Sequence, residues 1–554
     1  MTIRRELGMC LLWHVICCPP TRLKSLGRVM KMSAKIDRII KSAEKAVQIG
    51  DFKAATLACY QGLETYPNNP RLQALAHRLL EPQTSKRKSK FIQVDPIPRS
   101  VVEELTALID SDEFLLLTKR CLELLETYQN SAIIWNFLGC GQFKQGYPLL
   151  AESAHRKCIA LDPEYGAGYS NLGNVLNQLG RLEEAEEAHK ISIELDPTDP
   201  QVQNNLGALY DELGRYDEAR KHFQKAFDLD PNYASAEYNL GGANLQHKNF
   251  PDGWRQRESR WKRWTRDEGL PFIETSKPLW DGSNVDRLYV WSEQGVGDEI
   301  MFASTFNELA SKSNSLVVAC APRLRSLFER SFGHKITFVS RGKDVPDEHF
   351  DFHAPMLTAT GLLRQNIDDF RSSNTAYLKP AKHVVDSLRK TMLEASGGRP
   401  IIGMSWLSKN KKVGKKRSIS AVDLASAIPD DFFLVNLQYG DVSEDVRDIG
   451  LMANKGIAIF DNIDNWDHLD SFAALIAACD KVVSIDNSTV HFAGALGKEC
   501  HVLLPYSCDW RWGLQEHKDS HWYKSISLHR QTKLNDWSDV IQSLQSALNE
   551  NSPS

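Results

Sequence analysis

Hydrophobic and polar positions along the chain follow two different rhythms. Between residues 100 and 250 the pattern returns every 34 residues: Leu138-Gly139, Leu172-Gly173, Leu206-Gly207 and Leu240-Gly241 recur in step, as do Gly146, Gly180 and Gly214, and Asp162-Pro163, Asp196-Pro197 and Asp230-Pro231. Each unit predicts a pair of helices. The leucine-glycine pair puts a small residue where two backbones approach, the second glycine supplies the turn between helices, and proline stops the second helix. An earlier stretch from Lys35 to Tyr66, with Gly50-Asp51 at its turn and Pro67-Asn68-Asn69-Pro70 after it, has the form of a diverged unit of the same kind. Residues 81–99, with Lys86, Arg87, Lys88 and Lys90 followed by Pro96 and Pro98, have the composition of a linker. After Asn249 the period changes. Short apolar runs near 286–292, 315–320, 335–339, 400–405, 432–437, 457–460, 481–485 and 500–504 predict strands, with helical stretches between most of them and a seam around Pro380 to Pro400.

The repeating units resemble tetratricopeptide repeats, which stack into a superhelix with a concave binding face. The strand-helix alternation predicts parallel sheets, in two Rossmann-like halves with ligands at the carboxyl ends of the strands. The expected fold is therefore α plus α/β, an all-α tetratricopeptide superhelix followed by two Rossmann-like domains. Its expected divisions are an extension at 1–32, a diverged repeat at 33–80, a linker at 81–99, the array at 100–250, a connector at 251–280, and α/β halves at 281–390 and 391–554. Composition narrows the class. Hydrophobic residues at 42% and charged residues at 25% describe a folding chain, and 67 basic against 71 acidic side chains leave −4, without the global field that nucleic acid or an anionic membrane attracts. The 11 cysteines include no Cys-x-x-Cys pair, which fits a reducing, cytoplasmic setting. The run Leu7 to Cys18 behind Arg4 and Arg5 imitates a secretion signal, but no small-x-small cleavage site follows. At roughly 12 residues the run is short of the ~20 that span a bilayer, so no stable membrane insertion is expected. Met30 or Met32 are alternative starting points.

Candidate chemistry falls at strand ends. The run near 286–292 leads into Ser292-Glu293-Gln294-Gly295-Val296-Gly297-Asp298, where two glycines are expected to turn the chain into a helix beginning near Asp298. A dinucleotide fingerprint needs a third glycine where Ile300 stands, which argues against hydride chemistry. Asp298 reads either as a helix cap or as a general base aimed into a cleft. After 400–405 a loop carries Lys409, Lys411, Lys412, Lys415, Lys416 and Arg417, six cations in nine residues, which suits a solvated loop or a local phosphate site. After 481–485, Asp486, Asn487, Ser488 and His491 stand where strand yields to helix, and free backbone N–H groups there attract phosphate. Gln438 and Tyr439 follow another strand and are candidates for contact with a base or ribose. Asn171, Asn205 and Asn239 occupy one column of three successive repeats. Carboxamides in a row suit the backbone of an extended peptide, or are tolerated polar positions on an exposed helix face. The same column binds peptide in nucleocytoplasmic O-linked N-acetylglucosamine transferases, which the spacing resembles.

Taken together, Gln294-Gly295-Val296-Gly297-Asp298, Arg417-Ser418-Ile419, Asp486-Asn487-Ser488 with His491, and Asp509-Trp510-Arg511-Trp512 resemble bacterial tetratricopeptide proteins whose transferase end is similar to the ADP-heptose:lipopolysaccharide heptosyltransferases of the GT-B fold. The resemblance covers roughly 280 to 550. It implies an inverting glycosyltransferase without metal or resident cofactor, using a nucleotide-sugar as co-substrate. Asp298 matches the base, with Gln294, Gly295 and Gly297 in the acceptor-side loop. Lys416 or Arg417, with Ser418, matches the diphosphate contact, and Asp486, Asn487, Ser488 and His491 match the donor turn. Asn487-Ser488 replaces the usual Thr-Gly, which leaves the sugar open. By analogy with flagellin O-glycosyltransferases the acceptor is expected to be a polypeptide such as flagellin, held by the repeats through Asn171, Asn205 and Asn239. A scaffold with an inactive transferase half and a glycan-directed enzyme are the alternatives.

Overall fold

The computed structural model describes residues 35–46, individual positions between 55 and 66, and then 69–80, 97–263, 273–373, 375–410 and 413–550. The extension 1–32, most of the linker 81–99, and Lys411 and Lys412 lie outside the described residues. Chain contacts divide the molecule into two compact units, residues 1–209 and 210–554.

The first unit is helical. Helices Arg99–Asp110, Phe114–Thr127, Ala132–Lys144, Pro148–Leu161, Gly166–Gln178 and Leu182–Leu195 form successive pairs, and Pro200–Glu212 opens the next. Each pair needs a small residue at its closest approach: a Cβ on Gly139 would lie 2.5 Å from the His155 ring, and one on Gly173 would lie 2.7 Å from His189. The turn needs a left-handed residue, supplied by Gly146 at φ 83° and Gly180 at φ 77°. Asp112, at φ 56°, fills the same place one period earlier.

The second unit begins with helices Tyr216–Leu229, Ala234–Gln246 and Phe250–Arg257 and continues into two sheets. The repeat does not end at Asn249, where the sequence pattern fades. Lys248 adopts φ 61° where the register calls for the turn glycine, and Phe250–Arg257 is the second helix of one more pair. Its close approach again needs a small residue, since a Cβ on Gly241 would lie 2.9 Å from the Arg257 backbone N and 3.0 Å from the Gly253 carbonyl oxygen. The boundary read at 250 therefore cuts a repeat in half. The apolar core runs on without interruption from Leu245, Phe250 and Trp254 through Leu288 and Val290 to Trp510 and Trp522.

Both sheets are parallel. Strands β1 (Val285–Trp291), β2 (Ser313–Cys320), β3 (Thr337–Ser340) and β4 (Phe352–Pro355) are ordered 3-2-1-4. Strands β5 (Ile401–Ser405), β6 (Phe433–Asn436), β7 (Ile457–Ala458), β8 (Lys481–Ile485), β9 (Cys500–Leu504) and β10 (Ile526–Arg530) are ordered 10-9-8-5-6-7. The second order is that of a Rossmann sheet, with its switch point between β5 and β8. The buried apolar run of β5 reflects helices covering both faces. Two strands escape the sequence pattern: β4 is Phe-His-Ala-Pro, and β10 is an edge strand interrupted by Ser527 and His529. At the seam between 380 and 400 lies helix Lys382–Ser396, which Arg389 ties to the second sheet through Asp480 at 2.6 Å.

Candidate functional site

The site is built where the helix after β1 meets the helix after β8. Gly295 caps helix Val296–Phe302, so Asp298 falls in its first turn, where a carboxylate is favoured by the helix dipole. The helix thus starts at Val296 rather than near Asp298. The backbone needs no glycine at either position, since neither has a positive φ. Gly297 is required instead by contact: a Cβ there would lie 2.9 Å from Cδ2 of His491 and 3.6 Å from Cα of Ser488.

On the facing side, β8 ends at Asp486, and Asn487 caps helix Ser488–Ala495, its Oδ1 accepting from the Thr489 N–H at 2.9 Å. Asn487 Nδ2 donates to Ser405 Oγ at 2.8 Å, tying the ends of β8 and β5 across the switch point. His491 is buried. Its ring stacks on Trp512 with centroids 5.7 Å apart, and Nδ1 lies 3.1 Å from the Tyr523 hydroxyl. Burial depresses its pKa to about 4 against the pull of Asp298, so the imidazole is neutral near pH 7.

A run of alternating charges joins the two helices. The Asp298 carboxylate accepts from Arg511 Nη2; Arg511 Nη1 donates to Asp509 Oδ1 at 2.5 Å; Asp509 Oδ2 lies 3.8 Å from Arg417 Nη2; and Arg417 Nη1 lies 3.0 Å from Asp486 Oδ2. Burial alone would raise the Asp509 pKa, but Arg511 and Arg417 outweigh it and hold the carboxyl at about 2. Arg511 keeps its proton more firmly than usual, because Asp298 and Asp509 outweigh its own burial. Asp211, where the repeats adjoin this run, is pushed up to about 7 by burial and by the charges of Asp509 and Glu212. Among the described residues no group of three His, Cys, Asp or Glu side chains is placed to hold a metal.

Several sequence candidates take different places. Lys416 pairs with Glu212 of the repeats. Ser418 is consumed within its own loop, its Oγ accepting from the Ser408 N–H at 3.0 Å and donating to the Gly414 carbonyl at 2.7 Å. Gln438 is buried, and its Oε1 accepts from Ser405 Oγ and from the N–H groups of Trp406 and Leu407 at 3.0, 3.1 and 2.8 Å, bracing the end of β5. Gln294 receives the Arg341 guanidinium on its carbonyl at 2.7 Å. Ser488 is half-buried beside Gly297. Asn171 donates to Asn136 Oδ1 at 2.9 Å, while Asn205 and Asn239 are half-buried on the first helices of their own repeats.

Arg511 and Asp509 were visible only as part of a motif, without an ionic partner to suggest their place. Arg341 and the buried Glu299, whose carboxyl burial raises to about 7, carried no signal. A cavity of about 500 Å³ opens at the ends of β1 to β3, walled by Tyr289, Trp291, Ser292, Arg341, Lys343 and Phe350.

The tetratricopeptide repeat family model matches residues 165–232, within the helical region that precedes the parallel α/β region. Over 322 residues the chain is 29% identical to Protein FlbA of Caulobacter vibrioides (strain ATCC 19089 / CIP 103742 / CB 15), covering 54% of this chain and 52% of that protein. The chain thus spans about half the length of the curated relative it matches. Among solved structures it is similar to MamA 41-end from Desulfovibrio magneticus RS-1, at 19% identity over 29% of this chain and 90% of that one, with a TM-score of 0.25. It is also similar to YrrB, described as a TPR protein with an unusual peptide-binding site, at 21% identity over 29% of this chain and 82% of that one, with a TM-score of 0.24. Among the described residues no helix is long and apolar enough to cross a membrane.

Proposed function

We propose that the protein is a cytoplasmic glycosyltransferase of GT-B type that moves a sugar from a nucleotide-sugar to a Ser or Thr hydroxyl of a polypeptide held by the repeats. One observation carries this reading: the charge run Asp298–Arg511–Asp509–Arg417–Asp486 links the helix start after β1 to the strand-to-helix turn after β8. A donor diphosphate competes with Asp509 and Asp298 for the two guanidiniums, and taking Arg511 frees the Asp298 carboxylate. The acceptor oxygen then attacks the anomeric carbon, its proton passes to Asp298, and the carbon–oxygen bond to phosphate breaks with the electron pair leaving on the nucleotide. Attack opposite the leaving group inverts the anomeric centre. Arg417, Arg511 and the N–H groups at the start of helix Ser488–Ala495 receive the departing charge without a metal. Gln438 and Asn487 are positioning residues here, fixing the ends of β5 and β8. Asn171, Asn205 and Asn239 are the proposed peptide contacts.

The test is nucleotide release from a panel of nucleotide-sugars in the presence of a polypeptide acceptor. Asp298→Asn is expected to lower turnover by 100-fold or more, on the order of the general-base contribution, while nucleotide binding persists. Binding without release in the parent protein would instead support a scaffold whose transferase half is silent.

A further inference from the structure

The last repeat contributes a guanidinium that the α/β region does not account for. Positions 155, 189, 223 and 257 form one column of the repeats, occupied by His, His, Phe and Arg. The His155 and His189 rings pack against Gly139 and Gly173 of their partner helices and are neutral near pH 7, whereas in the last repeat the backbone of Arg257 meets Gly241 and its guanidinium lies beside Gly242. Arg257 is 7% exposed and has no carboxylate within ion-pair distance among the described residues. Its Nη2 donates to the Tyr238 hydroxyl, its Cζ stands 3.6 Å from the Tyr238 ring centroid, and its buried Nε has no acceptor. Burying a guanidinium without a counter-charge is expensive, so such a group points to an anion that binds there.

Its surroundings identify the anion. Helix Ala234–Gln246, which holds Tyr238, packs on the short helix Trp510–Trp512. Trp254, three residues before Arg257 on the same helix, meets the Trp510 ring edge-on at 5.4 Å, and Arg511 lies over Trp510 at 4.5 Å. Nε of Arg511 and Nε1 of Trp510 are likewise buried without acceptors. Burial lowers the Arg257 pKa; Tyr238 and Asp509 oppose that effect, and the charges of Arg511 and Arg260 add to it. Donors therefore outnumber acceptors where the last repeat meets the charge run. We infer that Arg257 is a binding residue for the phosphate groups of the donor, reaching the site from the repeats and not from either sheet. The inference rests on the donor-site reading above, and makes the last repeat a part of the donor site.

The full-length chain is titrated with inorganic pyrophosphate by calorimetry, as the parent and as Arg257→Met, Arg257→Lys and Arg417→Gln, with the melting temperature of each recorded separately. Arg257→Met is expected to weaken pyrophosphate about tenfold, and Arg257→Lys to fall between it and the parent. If the methionine variant does not fold, the lysine variant decides, since it keeps the charge but not the fork of donors. Pyrophosphate affinity unchanged in both variants while Arg417→Gln weakens it would overturn the role of Arg257 and leave the donor site standing. A rise in acceptor KM with donor KM unchanged would also overturn it, by assigning Arg257 to a peptide carboxylate. A parent protein that binds neither pyrophosphate nor any nucleotide-sugar would remove the donor site itself.

Discussion

A side chain at position 297 would place its Cβ 2.9 Å from the His491 ring, whereas one at 295 would meet only the Asp298 carboxylate at 3.7 Å. Gly295→Ser is therefore expected to be neutral or slightly stabilising, since it offers a cap hydroxyl to helix Val296–Phe302. Gly297→Ser is expected to cost about 1–3 kcal/mol, because the ring it meets is itself buried against Trp512 and Tyr523. Denaturant melts of the two variants check this; equal losses would mean that the glycines serve the turn and not the helix contact. The pair illustrates what was legible at this scale. Asp298, Arg417 and Asp486 could be picked out because strand ends in parallel sheets collect functional groups, and all three fall in one charge run. Lys416 and Gln438 were picked out by the same logic. Their partners, Glu212 and the end of β5, come from distant sequence that no local pattern connects to them.

At the scale of the helix pair, His155 and His189 fill places that Phe223 fills in the next repeat. Both are buried and each leaves its Nδ1 without a partner, and burial lowers their pKa values to about 3 and about 4. The unfolded chain takes up their protons near 6.5 while the fold refuses them until well below that, so each stabilises the fold above 6.5 and loses that contribution as the pH falls to about 3 for His155 and about 4 for His189. For His189 the loss is on the order of 3 kcal/mol by pH 4. His189→Phe should leave the melting temperature at pH 7.5 nearly unchanged and raise it at pH 4.5; an unchanged difference between the two pH values would refute the assignment. Element boundaries follow the same division between local and distant causes. The turn glycines announced the repeats, and apolar runs announced eight strands. Lys248 hid the final turn by taking a left-handed conformation that its residue type does not advertise. Strand β4 is only four residues long and ends in proline, so only its pairing with β1 reveals it.

For the molecule as a whole, the important seam is not the one the sequence rhythm marks. The change of period at 249 suggests that residues 1–250 can be removed to leave a folded α/β region, but the compact unit starts at 210. Tyr216 accepts the Cys508 N–H at 3.2 Å, Trp254 donates to the Arg364 carbonyl at 2.7 Å, and Leu245, Phe250 and Trp254 share one apolar core with both sheets. Cutting at 250 deletes Tyr216, Leu245 and Phe250 and strips helix Phe250–Arg257 of its partner. At about 1.5–3 kcal/mol for each buried apolar side chain, the three losses alone approach the ~5–15 kcal/mol net stability of a typical domain. A chain beginning at Asp199 keeps helix Pro200–Glu212 and every repeat contact of the second unit, so it is expected to melt in a single cooperative transition. A chain beginning at residue 251 is expected to be insoluble or to bind hydrophobic dye without a cooperative melt. If the shorter chain instead melts as sharply as the longer one, the last repeats are an appendage and not part of the α/β core. Their burial against Trp510 would then contribute little, and the route by which Arg257 reaches the charge run would lose its structural basis.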